Sequence, residues 1–191
     1  IIFTGSGTES DNLAIKGAAW AQAEKGKGRH IITSAIEHHA VLDSCKFLES
    51  QGFEITFLPV TPEGIVEPAA LERAVRPDTI LVSIMHANNE TGVIQPLSDL
   101  ASIAQERKVP FHTDGVQTFG VLPMDVHSLG IDYFSASAHK IYGPKGVGLL
   151  YVRRGAPLTK LLHGGGQELS KRAGTESVAG IIGFARAVEL Q

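Results

Sequence analysis

The chain has 191 residues, of which 43% are hydrophobic and 19% are charged, and its formal net charge at pH 7 is −3. This composition predicts one globular domain and excludes extensive disorder, and the weak negative charge provides no basis for binding nucleic acid or an anionic membrane. No apolar run approaches the ~20 residues of a membrane span, and the single cysteine excludes an internal disulfide framework and is typical of a reducing compartment.

Short apolar segments alternate along the chain with segments of helical periodicity. A strand at 1–3 leads into a Gly-rich turn, and a helical pattern then runs from Leu13 to about Ala23. The later predicted strands are 30–34, 53–58, 79–86, 109–113, 131–136 and 147–152. The helices predicted between them are 38–50, 68–76 and 96–108, and the chain ends within a further helical segment. This alternation predicts an α/β fold with a mostly parallel central sheet flanked by helices.

Several polar motifs follow predicted strands, namely those near Thr8, His38, Asn89, Asp114 and Lys140. Right-handed crossover connections bring the carboxyl ends of parallel strands to one edge of a sheet. Ligands of open α/β sheets bind at that edge. We therefore expect these motifs to lie together.

Lys140 lies among small residues between two predicted strands, and Asp114 follows the strand 109–113. A lysine enclosed in this way can lose hydration and have a lowered pKa, as nucleophilic and Schiff-base lysines do. Pyridoxal phosphate (PLP) requires such a pair, because a lysine binds its aldehyde and a carboxylate keeps its pyridine nitrogen protonated. Taken singly, a solvated surface lysine and a helix N-cap aspartate are the commoner roles. The pairing favours the PLP interpretation.

The Gly-rich turn at 4–12 precedes a predicted helix, which suits it to binding a phosphate. Its glycines allow backbone N–H groups to approach an anion, the helix N-terminus attracts negative charge, and Thr8 adds a hydroxyl. Thr8 and Asp11 also have the spacing of an ordinary capping box. The turn lacks the lysine of a P-loop and the glycine spacing of a dinucleotide fingerprint.

These motifs together resemble the cysteine desulfurases of the class-V aminotransferase group, which are fold-type-I PLP enzymes. The resemblance is closest to the NifS/IscS-type branch. The matching segments follow the order of the family and are 3–12, 37–42, 86–92, 112–117, 137–140 and 163–168 with 172–175. The resemblance implies conversion of L-cysteine to L-alanine and an enzyme persulfide, for iron–sulfur cluster assembly or other sulfur transfer.

The resemblance also implies a role for each matching residue. Lys140 would bind PLP and move protons, and His38 would stack on the ring and assist proton transfer. Asp114 would pair with the pyridinium nitrogen, and Gln117 would lie near the phenolic oxygen. The phosphate cradle would comprise Gly7, Thr8, Ser137 and His139, with Asn89 beside substrate and cofactor and Thr175 reaching the phosphate of the neighbouring subunit in a homodimer. His38 has the alternative interpretation of a helix-start or core histidine.

Two features of the family have no counterpart in the sequence. Its reactive cysteine and its substrate-binding arginine lie beyond the lysine, whereas Cys45 lies far upstream on a helical pattern and is interpreted as a packing residue. We therefore expect residues 1–191 to be a PLP-binding large-domain core without the N-terminal arm and the C-terminal small domain. We expect the isolated chain to be inactive in desulfuration.

Other assignments of function stay open at this stage. A related PLP enzyme, such as a selenocysteine lyase or an aminotransferase, would also use Lys140 and Asp114 without a reactive cysteine. A non-catalytic PLP-binding or scaffold domain is a further alternative. The expected partners are L-cysteine, a second copy of the chain, and a sulfur acceptor or iron–sulfur scaffold protein, in the cytoplasm or in an organelle. A metal site built from His112 and Asp114, or from His38 and His39, is disfavoured because one PLP ring explains Asp114 and His38 together.

Overall fold

A seven-stranded sheet forms the centre of the computed structural model, which describes residues 1–191. The strands are β1 (Ile2–Thr4), β2 (His30–Ser34), β3 (Glu54–Leu58), β4 (Thr79–Ser83), β5 (Phe111–Asp114), β6 (Tyr133–Ser137) and β7 (Gly148–Val152). Their order in the sheet is β1-β7-β6-β5-β4-β2-β3. The strands from β2 to β6 pair in parallel, whereas β7 runs antiparallel to both β6 and β1.

Helices cover both faces of this sheet. They are α1 (Gly7–Glu24), α2 (His39–Glu49), α3 (Pro68–Ala74), α4 (Leu97–Glu106), α5 (Gln167–Ser170) and α6 (Val178–Glu189), with a 3-10 helix at Ala138–Ile141. On one face, residues such as Ile31 pack with apolar residues of α1 and α2. On the other face, Ile32 packs in a second cluster with residues of α3, α4 and α6. Successive residues of a strand thus supply two separate cores, which confirms the predicted α/β fold. None of the helices is long and apolar enough to cross a membrane.

The first helix begins earlier than the sequence pattern predicts. It starts at Gly7 rather than at Leu13, because Ser6 acts as the N-cap and its side chain accepts a hydrogen bond from Glu9 N at 3.1 Å. The Glu9 carboxylate accepts in turn from Gly5 N at 2.7 Å. The predicted capping box of Thr8 and Asp11 is therefore wrong, since both residues lie inside the helix. The remaining differences are smaller: the predicted strand 79–86 ends at Ser83, and the helices are a few residues shorter than predicted.

The turn after β5 depends on a glycine. A Cβ atom at Gly115 would lie 2.1 Å from Cε2 of the buried Phe134 ring. We expect Gly115→Ala to lower the free energy of unfolding by about 1–3 kcal/mol, because the ring cannot move without disturbing the core. Urea unfolding measures this difference.

Gly166→Ala is the matched control for that substitution. The nearest atom to a Cβ at Gly166 is the Ser170 hydroxyl at 3.4 Å, and its φ of −85° is open to any residue. Equal stabilities for the two variants would contradict the steric explanation.

Candidate functional site

A cavity of about 240 Å³ lies at the carboxyl edge of the sheet. It is bordered by the start of α1, by the segments that follow β2, β4 and β5, and by the 3-10 helix after β6. The structure brings eight of the ten predicted site residues to this cavity, which are Gly7, Thr8, His38, Asn89, Asp114, Gln117, His139 and Lys140. The other lining residues are Ser6, Asp11, Met85 and Val116.

One end of the cavity presents the N-terminus of α1. The first amides of a helix have no intrahelical acceptor, so the N–H groups of Gly7 and Thr8 are available to an anion. A Cβ atom at Gly7 would lie only 2.6 Å from Cγ2 of Val116, so glycine allows the helix to come this close to the end of β5. Ser137 does not line the cavity itself, but its hydroxyl is 2.8 Å from Nδ1 of the lining residue His139. This end has the donors of a phosphate site.

Asp114 places a carboxyl group in the floor of the cavity. It is the last residue of β5, it is buried, and its Oδ1 atom accepts a hydrogen bond from Val116 N at 2.9 Å. Burial raises the pKa of Asp114 because it removes water from the ionised form. The Val116 N–H group and the nearby His38 and Lys140 act in the opposite direction and lower that pKa. The anionic form of Asp114 therefore depends on these three neighbours.

Lys140 occupies the 3-10 helix that directly follows β6. Lys140 is exposed and lines the cavity. The expectation that small neighbours enclose it is therefore wrong. Its small neighbours Ala136 and Ala138 instead pack into the core beneath it. Tyr142, with a φ of 63°, ends the 3-10 helix and turns the chain back toward β7.

His38 combines both of the roles considered from the sequence. It is the N-cap of α2, where its Nδ1 atom accepts a hydrogen bond from Ala40 N at 3.1 Å, and it also lines the cavity. Because Nδ1 is an acceptor, the proton of the neutral ring lies on Nε2. The capping bond thus fixes the tautomer of a histidine beside Asp114 and Lys140.

The loop after β4 is fixed by a residue that the sequence analysis did not single out. Asn88 donates from Nδ2 to Ile36 O at 2.9 Å, and its Oδ1 atom accepts from Glu90 N at 3.0 Å and from Thr91 N at 2.9 Å. These bonds hold the turn that presents Asn89 to the cavity. An Asx turn before Thr91 and Gly92 is the local signal that could have identified Asn88.

Two further acids near the cavity were also missed as site residues. Asp11 is 1% exposed and Glu37 is 5% exposed. Burial, assisted by the charge of Asp114, raises the pKa of Asp11 well above its ordinary value. Burial likewise raises the pKa of Glu37 to about 8. In the sequence, both resemble the acids found at the start of any helix.

Thr175 lies apart from this cavity. It lines a separate space of about 90 Å³ beside Phe3, Gly146 and Arg172. Within one chain, therefore, Thr175 does not contribute to the cavity of Lys140. Its contact with a neighbouring subunit stays a prediction.

The structure contains no group of three or more His, Cys, Asp or Glu side chains placed to hold a metal ion. The imidazole of His112 is held between two hydroxyl groups, with Nδ1 2.8 Å from Ser83 Oγ and Nε2 3.0 Å from Ser135 Oγ. Both ring nitrogens of His112 are therefore engaged within the core.

Known proteins share this architecture and much of its sequence. Over 190 aligned residues the chain is 62% identical to the cysteine desulfurase IscS of Dictyoglomus turgidum, and it covers 48% of that protein. It is 57% identical to the cysteine desulfurase IscS of Methanosarcina thermophila and covers 46% of that protein. Among solved structures, it matches SspA in complex with cysteine with a TM-score of 0.94 and 48% identity, over 98% of this chain and 54% of SspA. A NifS-like protein matches with a TM-score of 0.95 and 46% identity, over 99% of this chain and 52% of the other.

The chain thus spans about half the length of these relatives. The family described as Aminotransferase class-V matches residues 1–191. Sequence and fold agree, and the chain belongs to the aminotransferase class-V family.

Proposed function

We propose that residues 1–191 form the PLP-binding large-domain core of a cysteine desulfurase. The observation that carries this proposal is the convergence of Lys140, Asp114 and a free helix N-terminus on one cavity. The proposal is supported by relatives at 62% and 57% identity that are named cysteine desulfurases, and by the likeness to SspA in complex with cysteine.

The residues of the cavity fit PLP in the chemistry of their donors. Lys140 supplies an amine for the aldehyde, Asp114 supplies a carboxylate for the pyridine nitrogen, and Gln117 supplies an amide for the phenolic oxygen. The phosphate would be held by Gly7, Thr8, Ser137 and His139. When bound, PLP supplies an electron sink for bond cleavage in an amino-acid substrate.

Proton transfer in this cavity falls to two side chains. His38 has Nε2 available because its Nδ1 atom is occupied by the helix cap. Lys140 has a flexible amine that also lines the cavity. Asn89 lines the same cavity, and its amide is suited to orienting L-cysteine.

Cys45 does not have the properties of the attacking thiol. It is fully buried on α2, and burial raises the pKa of its thiol to about 12. A persulfide-forming cysteine requires a thiolate and freedom to carry sulfur away. We therefore propose that this nucleophile lies outside residues 1–191, and that a sulfur acceptor or iron–sulfur scaffold protein receives the persulfide.

The proposed enzyme is a homodimer. Thr175 is exposed, and a few residues before it in the chain Leu169 of α5 is 90% exposed. Such a surface suits contact with a second copy of the chain, whose phosphate site Thr175 would complete.

We expect borohydride reduction of the PLP-bound protein to attach a pyridoxyl group to Lys140, because this amine lines the cavity beside the helix N-terminus. Peptide mapping by mass spectrometry locates the group. Lys145→Ala is the control, since Lys145 is exposed on the same connection and does not line the cavity. An adduct on Lys145 or Lys160 would refute the assignment.

We expect Asp114→Asn to keep the fold and to reduce kcat/KM of the complete enzyme by an amount worth on the order of 2–5 kcal/mol, since a buried charged partner is lost. The asparagine oxygen can still accept the bond from Val116 N. Asp125→Asn is a close control, because Asp125 is exposed and makes the same turn bond, to His127 N at 2.9 Å. Unchanged turnover in Asp114→Asn would remove this residue from the proposed role.

We expect Cys45→Ala to leave desulfuration by the complete enzyme largely intact. The isolated chain, loaded with PLP and given cysteine and a reductant, is expected to release no alanine over many turnovers, because its one thiol is buried. An alanine assay distinguishes the outcomes. Multiple turnovers of the isolated chain that disappear in Cys45→Ala would contradict the proposed location of the nucleophile.

A further inference from the structure

Three buried carboxyl groups lie at the cavity, where Asp11 and Asp114 belong to its lining and Glu37 does not. Asp11 comes from the second turn of α1, Glu37 precedes α2, and Asp114 ends β5, and each is less than a tenth exposed. The Asp114 charge raises the pKa of both other acids, which places the three within electrostatic reach of one another. Like charges in such a desolvated cluster cannot all be ionised at low cost.

No buried cation neutralises this cluster. The titratable groups that face it, besides the acids, are His38 before α2, Cys45 on α2, His112 on β5 and Lys140 on the 3-10 helix. Nε2 of His112 is 3.6 Å from Oδ1 of Asp11, but burial lowers the pKa of His112 to about 3, so the imidazole is neutral. His38 and Lys140 are both exposed, and they act on Asp114.

The hydrogen bonds distinguish the three acids. Oε1 of Glu37 accepts from Ser34 Oγ at 2.6 Å and from Met85 N at 2.9 Å, whereas its buried Oε2 atom has no partner. Oδ1 of Asp11 is likewise buried without a hydrogen-bond partner. The nearby Ser135 hydroxyl lowers the pKa of Asp11, but burial and the charge of Asp114 outweigh it and raise that pKa. A buried oxygen without a donor is costly as part of an anion and much less so as part of a neutral carboxylic acid. Asp114 alone combines a backbone donor with Lys140 and His38 at the cavity rim, both of which lower its pKa.

We propose that Asp11 and Glu37 are proton-carrying, uncharged acids that leave Asp114 as the single anion of the cluster. Both are positioning residues that act through Asp114, because a second anion beside it would draw a proton onto Asp114 and remove its charge. The inference rests on the proposed function only for what Asp114 does; the protonation of Asp11 and Glu37 is a property of the protein without cofactor.

Protonation of buried acids has a defined effect on stability. Glu37 has an ordinary pKa of 4.5 and a folded-state pKa of about 8, so between these values the folded protein holds a proton that the unfolded chain has lost. The contribution of Glu37 to the free energy of unfolding is most favourable below the ordinary pKa and is lost as pH rises toward 8. For each such proton, the folding equilibrium constant falls by up to roughly tenfold for every unit that pH rises across this window.

The test uses the complete chain free of PLP and two isosteric substitutions, Glu37→Gln and Asp11→Asn. Urea unfolding as a function of pH should show that each substitution removes part of the decline in stability toward alkaline pH. Glu106→Gln, an exposed acid on α4, should leave the pH profile unchanged. A profile that is the same in wild type, Glu37→Gln and Asp11→Asn would overturn the proposal.

Infrared spectroscopy is a second test, because it detects protonated carboxylic acids directly and a purely structural role of Asp11 and Glu37 would not produce their signal. At neutral pH the wild type should show the carbonyl band of protonated carboxylic acids, which weakens in each single variant and disappears in the double variant. Absence of that band in the wild type would refute the proposal even if neither variant folds. Since PLP enters neither measurement, failure of the proposed desulfurase function would leave both results unaffected, and the reverse also holds.

Discussion

The close approach of the first helix to the ends of β5 and β6 is the constraint on which the site depends. Gly7 lies so near Val116 that any side chain would collide with it, and a Cβ at Gly148 would lie 2.6 Å from the carbonyl carbon of Ser6. Two glycines therefore permit two close contacts at the start of α1, one of Gly7 with the Val116 side chain and one of Gly148 with the Ser6 backbone. From these contacts α1 crosses the sheet and packs against β4, β5, β6 and β7. The packing of α1 on the sheet thus places its N-terminus at the cavity.

The same helix supplies two opposite electrostatic environments. Its first amides face the end of the cavity that we propose to bind phosphate, and Asp11, one turn further on, belongs to the buried acid cluster. A charged Asp11 so close to the proposed phosphate end would oppose the attraction of the helix N-terminus for an anion. A protonated Asp11 avoids this conflict, because it adds no charge to either end of the cavity.

The sequence predicts the parallel part of this fold well because β2 and β4 are buried at every residue and each has apolar residues at its centre. It also predicts which polar residues meet, since strand ends of a parallel sheet share an edge. It does not predict that Lys140 is exposed or that Asp11 and Glu37 are buried, because exposure is decided by elements distant in the chain. The left-handed backbone of Glu168 and Leu169 carries no glycine signal and was also missed.

That left-handed segment connects the cavity to the surface that we propose for the second subunit. Oε2 of Glu168 accepts from Phe3 N at 2.9 Å, and Arg172 binds both carboxylate oxygens of Glu9, at 2.7 and 3.1 Å. Glu9 in turn holds Gly5 N just before the start of α1. A bidentate, half-buried ion pair has more geometric specificity than an exposed pair. The chain from Arg172 to Thr175 is therefore anchored to the turn that carries Gly7, so a contact at Thr175 and an anion at Gly7 would depend on the same backbone.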